Sequence, residues 1–177
     1  DGLGWYAAGM FAAGLGVWSL RFIAHSLQAG SLFGSFMHLV HLPFHEAGHI
    51  LFMPFGRFHT SLGGSLTQVL VPLVCLGTFL VKTRDTFGAA VALWWTGQSL
   101  MDLGPYIADA RALRIVLLGG RTGAEVEGHD WEAILRTLGW LRYDVLLGRI
   151  TSFTGSVLML LALAWAGWVV FRQHQER

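Results

Sequence analysis

FMHLVHLPFHEAGHILFMPF, residues 36–55, is an apolar stretch into which four histidines and one glutamate are set at helical spacing. His38, His41, His45 and His49 are three, four and four residues apart, so on a helix they form one continuous stripe. Within it, His45-Glu46-Ala47-Gly48-His49 is an H-E-x-x-H pattern. Residues four apart on a helix share a face, so His45 and His49 can offer imidazole nitrogens to a single ion, with Glu46 projecting beside it. There a glutamate serves as general base toward a water that the ion activates. Catalytic zinc keeps three protein ligands and an open fourth position. One further ligand is therefore expected from elsewhere in the chain.

The residues around this stretch define its solvent. Of 177 residues, 54% are hydrophobic and only 13% are charged, and the mean hydropathy is +0.53. A soluble domain carries about 25% charged residues. No Asp, Glu, Lys or Arg occurs between Asp1 and Arg21, Arg21 and Glu46, Arg57 and Lys82, or Arg149 and Arg172. Each gap approaches or exceeds the ~18 to 20 residues that span the hydrocarbon core as a helix. The reading is an all-α membrane protein, residues 1–177 forming a single membrane domain with about five transmembrane helices in a lipid bilayer. Glu46 then lies mid-span, where an ionisable side chain costs about 2.5 to 3.5 kcal/mol on insertion scales and marks a functional position by default. The net charge of +1, without any basic block, points to no nucleic-acid partner. Cys75, the single cysteine, forms no intrachain disulfide and reads as a small residue within an apolar run.

The chain divides along these lines. A Gly- and Ala-rich first span falls within 5–27, and its small residues suit close packing on other helices. A core of three spans, 31–105, follows. It comprises a segment from Ser31 to Phe55, a turn from Gly56 to Ser65 centred on Gly63-Gly64, a return span from Leu66 to Val81, and a third from Thr86 to Leu103. Pro105 has no N–H and clashes with the preceding turn, so a kink or unwinding is predicted at Gly104-Pro105. Residues 108–148 alternate charged and apolar side chains and read as an interfacial amphipathic segment. Its helix is expected over Trp131 to Leu147, with Ile134, Leu135, Leu138 and Leu141 on one face. His129-Asp130-Trp131 reads as a surface turn in which Asp130 caps that helix, with a metal role as the lesser alternative. The last span is 150–171. Arg57, Arg111, Arg114, Arg121, Arg136, Arg142 and Arg149 share one side of this arrangement, which the positive-inside rule favours as cytoplasmic.

Two carboxylates stand as third metal ligands. Asp102 lies 17 residues past Asp85 on a span running parallel to the second, where His49 lies 18 past Ser31, so the two match in depth. Asp109 reaches the histidines only if the chain folds back through Gly104-Pro105. Both remain open.

An H-E-x-x-H helix, a Gly-rich turn, a return span and a further span ending in aspartate together resemble the three-helix core of the site-2 proteases, over roughly residues 31–114. The resemblance implies an intramembrane zinc metalloprotease in which His45, His49 and Asp102 or Asp109 bind zinc and Glu46 is the catalytic general base. Its substrate would be a transmembrane or membrane-associated protein or peptide. It also implies that Gly63 and Gly64 belong to a loop or hairpin that pairs with extended substrate, and that Gln98 takes the position that holds substrate or an oxyanion. The chain departs from the family in lacking its Asn, Pro-rich and Asp-Gly signature; Pro105-Tyr106-Ile107-Ala108-Asp109 is a distant echo. The expected setting is a multi-pass protein of a bacterial inner (cell) membrane. The rival readings are a catalytically silent member acting as partner subunit or scaffold, a His-rich metal-binding or transport protein, and a haem-binding electron carrier. The first of these would have a membrane partner subunit.

Overall fold

The computed structural model describes residues 2–26 and 33–175. They form six α-helices: α1 (Gly2–Ala24), α2 (Phe36–Phe52), α3 (Arg57–Thr78), α4 (Thr86–Ala108), α5 (Asp130–Thr137) and α6 (Asp144–Gln175). No strand occurs among the described residues beyond one isolated bridge between Val116 and Thr122. The end of the first expected span and the start of the second, residues 27–32, lie outside the described residues.

Local chemistry sets several helix ends. The Ser35 hydroxyl accepts the His38 N–H at 3.2 Å and starts α2, and the Asp85 carboxylate accepts the Gly88 N–H at 2.8 Å and starts α4. A 3₁₀ turn over Met53–Phe55 ends α2. Gly56 then adopts φ +91°, a region open to glycine and closed to most other residues, and the chain reverses into α3. The pairs His49 with Thr60, Gly48 with Gly63 and His45 with Gln68 run in opposite chain directions, so α2 and α3 form an antiparallel hairpin.

The most extensive helix contact is between α4 and α6. A Cβ built on Gly97 would lie 2.7 Å from the Gly155 carbonyl oxygen, and one on Gly104 would lie 2.9 Å from that of Gly148. The reciprocal distances from Gly155 to Gly97 and from Gly148 to Gly104 are both 2.5 Å. These are two antiparallel backbone contacts seven residues apart, at a separation that no side chain would allow. Helix α1 lies against α6, with Trp5 Nε1 donating to the Val170 carbonyl at 2.7 Å, and is tied to α4 by Trp94 Nε1 donating to Ser19 Oγ at 2.8 Å. Leu15, Phe22, Trp94, Met101, Met159 and Ala162 fill the core among these helices. A second cluster of Leu103, Ile107, Ala110 and Leu135 seats α5 on the end of α4.

Three helical stretches are long and apolar enough to cross a membrane: Gly4–Ala24, Arg57–Thr83 and Leu141–Gln175. Their outward faces carry large apolar side chains such as Met10, Val17, Val74 and Phe153, the last 71% exposed, a surface suited to lipid. The sequence suggested two more spans. Helix α2 has only 17 residues and carries Glu46 and the histidines, and α4 is enclosed by its neighbours along most of its length.

Several local expectations are corrected. Gly63-Gly64 is no turn: both residues lie inside α3, where their missing side chains let α2 approach. The α4 helix runs through Pro105 to Ala108, with Gly104 and Pro105 buried against neighbouring helices. The interfacial helix stops at Thr137, because Gly139 (φ +70°) turns the chain before a short 3₁₀ turn and α6. Ile134 and Leu135 are buried as expected, whereas Leu138 faces outward. The cap of α5 is His129, whose Nδ1 accepts the Glu132 N–H at 3.2 Å, and Asp130 is freed for another role.

Candidate metal centre

His45 and His49 project from successive turns of α2 toward one point. Behind each ring stands an oxygen acceptor from α3. His49 Nδ1 is 2.8 Å from the Thr60 carbonyl oxygen, and His45 Nδ1 is 2.9 Å from Gln68 Oε1. A backbone carbonyl only accepts, so the neutral His49 ring carries its proton on Nδ1 and presents an Nε2 lone pair. Gly64 lies directly beneath the two rings. A Cβ there would sit 2.6 Å from His45 Nε2 and 2.7 Å from His49 Nε2, so the space the imidazoles occupy exists only because residue 64 has no side chain.

The carboxylate that closes on the pair is Asp130, from the first turn of α5. Its Oδ2 is 3.3 Å from His45 Nε2 and 3.3 Å from His49 Nε2. The ligand atoms of all three residues lie within 4.8 Å of one another, the one such group of three or more among the described residues. Zinc bonded at 2.0 to 2.2 Å in tetrahedral geometry holds its ligand atoms roughly 3.3 to 3.5 Å apart. Both His–Asp130 separations match that spacing, and two imidazoles with one carboxylate are a donor set suited to a divalent ion. Tyr106, next to Pro105 on α4, fixes Asp130 from both sides: its hydroxyl donates to Oδ2 at 3.1 Å and accepts the Asp130 N–H at 3.0 Å. Burial pushes the Asp130 carboxyl up, but when the two imidazoles are protonated on Nε2 as well, their hydrogen bonds and charges outweigh it and bring it down to about 2.

Neither carboxylate expected as third ligand joins this group. Asp102 is buried one level away, with His38 Nδ1 at 3.0 Å, His41 Nδ1 at 3.5 Å and Gln68 Nε2 at 3.1 Å from its Oδ2. Matching depths along the two helices brought it to the wrong end of the histidine stripe. Asp109 braces the loop after α4, accepting the Arg114 and Ile115 N–H groups at 3.0 and 2.9 Å, with His129 Nε2 3.5 Å away. Gln98 is fully buried in α4 and does not line the site cavity. Gly63 and Gly64 serve helix packing and the imidazole space instead of forming a substrate-pairing strand.

Glu46 lines the same cavity as His45, His49 and Asp130, a space of about 460 Å³ that Tyr106 and Gln68 also border. Its apolar lining includes Phe33, Leu42, Leu103 and the run Ile115 to Leu118, and His38, Asp102 and Glu127 also reach it. Sequence reasoning placed Asp130 first as a helix cap and only secondarily in a metal role, and it missed Tyr106 as its support. The adjacent His129-Asp130 pair was the available signal, and it also fits an ordinary helix start. Comparison with models of known protein families, with curated proteins and with solved structures found no match.

Proposed function

We propose that this chain is an intramembrane zinc metalloendopeptidase, cleaving a peptide bond in a transmembrane or membrane-associated protein. The observation that carries the reading is the convergence of His45 Nε2, His49 Nε2 and Asp130 Oδ2 beside Glu46, in a half-apolar cavity among helices suited to lipid. His45, His49 and Asp130 hold the ion. An ion held by that set would supply Lewis acidity and make a neighbouring water more acidic. Glu46 takes the proton from the attacking water and returns it to the leaving amine. Tyr106 keeps Asp130 aimed at the histidines, and Gly64 leaves room for both rings. The apolar wall accommodates the side chains of a membrane segment, which must unwind locally to present a carbonyl, so substrates with helix-weakening residues near the cut are expected.

The test has two stages. Detergent-purified protein is assayed for metal by mass spectrometry; about one zinc per chain is expected for a three-ligand site. Membrane fractions of cells carrying the wild-type chain or Glu46→Gln are then compared for new peptide N-termini. Termini present only with the wild type identify substrates. A chain that binds no zinc when supplied with it is not this enzyme, and the silent partner-subunit reading takes its place. Identical termini in the two strains would remove the general-base role.

A further inference from the structure

His49 has its proton position dictated by a backbone carbonyl, but His45 does not. Its Nδ1 faces a glutamine amide, which offers either an acceptor or a donor depending on which way it is turned. What turns it is found on α4. Asp102 Oδ2 lies 3.1 Å from Gln68 Nε2, and the Ser99 carbonyl lies 3.5 Å from the same nitrogen. Both are acceptors, so the NH₂ of Gln68 must point at them and its Oε1 must point at His45.

The remaining contacts of Asp102 keep it an acceptor. Trp95 Nε1 donates to His41 Nε2 at 3.0 Å. An indole nitrogen only donates, so the neutral His41 ring carries its proton on Nδ1, which faces Asp102 at 3.5 Å. His38 Nδ1 adds a contact at 3.0 to 3.1 Å to both carboxylate oxygens. For the same reason His41 has no lone pair turned toward Asp102, so this end of the stripe is not a second metal site.

We infer that Asp102 and Gln68 are positioning residues for the metal centre: Asp102 orients the Gln68 amide, Gln68 Oε1 holds the proton of His45 on Nδ1, and the Nε2 lone pair is thereby kept facing Asp130. This rests on the metal-site reading above. Outer partners of metal-bound histidines typically change metal affinity 10- to 100-fold when removed.

The experiment measures zinc affinity of the full chain in detergent by competition with a chromophoric chelator. Gln68→Met, similar in size and lacking the acceptor, is expected to bind zinc about 10- to 100-fold more weakly, and Asp102→Asn about 10-fold more weakly. The discriminating variant is Gln68→Glu combined with Asp102→Asn. A carboxylate at position 68 accepts from His45 whichever way it turns, and it accepts as well from the amide introduced at position 102. Asp102 is then dispensable, and affinity should return to within about threefold of wild type. That recovery also shows that the Asp102→Asn loss was not misfolding. Wild-type affinity in Gln68→Met or in Asp102→Asn overturns the inference while leaving the metal site standing. A double variant no tighter than Asp102→Asn overturns it too, and is the result expected if Asp102 ligated the ion itself. Absence of zinc binding in the wild type removes both readings together.

Discussion

The two ends of the α2 histidine stripe are built from the same parts and come out differently. At one end, His45 and His49 meet Asp130; at the other, His38 and His41 meet Asp102. Each has two imidazoles on adjacent helical turns and one carboxylate. The difference is which nitrogen faces the carboxylate. His45 and His49 present Nε2, because oxygen acceptors on α3 occupy their Nδ1 atoms. His38 and His41 present Nδ1, and Trp95 sets the proton of His41 there. The first arrangement leaves lone pairs converging on a shared point, and the second turns ring nitrogens that carry protons toward a buried anion, His38 within hydrogen-bond distance and His41 at 3.5 Å. Residue types alone do not distinguish a ligand set from a hydrogen-bond cluster; the atoms behind the rings do.

The comparison can be broken most directly by removing ligands. Asp130→Ala and His49→Ala should reduce zinc content from about one per chain to near zero, whereas loss of His38 should not; equal losses at both ends would erase the distinction. Glu46→Gln should keep its zinc, since Glu46 is no ligand, yet slow hydrolysis of an identified substrate by about 10² to 10⁴. Parallel metal and turnover assays separate the two effects. Gly64→Ala puts a methyl group where the rings of His45 and His49 now lie. Zinc affinity should fall by about 100-fold, comparable with the upper range for disturbing ligand orientation, while circular dichroism shows the helices intact. Tyr106→Phe removes the hydroxyl that both donates to Asp130 and accepts its N–H, and chelator competition should register a loss of about 10-fold. The smallest effect is expected for His38→Ala, within about threefold of wild-type zinc affinity, because Gln68 and His41 still face Asp102.

What the sequence revealed and what it concealed divide along physical lines. His45, Glu46 and His49 were legible because ligand spacing on one helix is a local property. The all-helical character and apolar outer faces were legible for the same reason, since charge-free stretches of spanning length need no tertiary information. Asp130 ranked as a cap before a metal role because it lies 81 residues past His49 in a polar segment, where an aspartate before a helix ordinarily caps it. Only the fold shows His129 taking the cap and Asp130 turning inward under Tyr106. Gly63-Gly64 misled because glycine pairs usually break helices, whereas here helix–helix contact is so close that any side chain would collide. Pro105 misled likewise: packing along α4 outweighs the one backbone hydrogen bond that proline forfeits.

The paired glycine contacts between α4 and α6 have a mechanical meaning for this site. With backbones touching at two points seven residues apart, neither helix can rotate or slide past the other without its main chain striking its neighbour's. Tyr106 and Asp102 ride on this clamped pair, while His45 and His49 ride on α2, whose principal neighbour is α3. The cavity thus draws one wall from a helix pair locked in register and the other from the α2–α3 hairpin, which is tied to that frame through the Gln68 amide at Asp102 and Ser99 of α4.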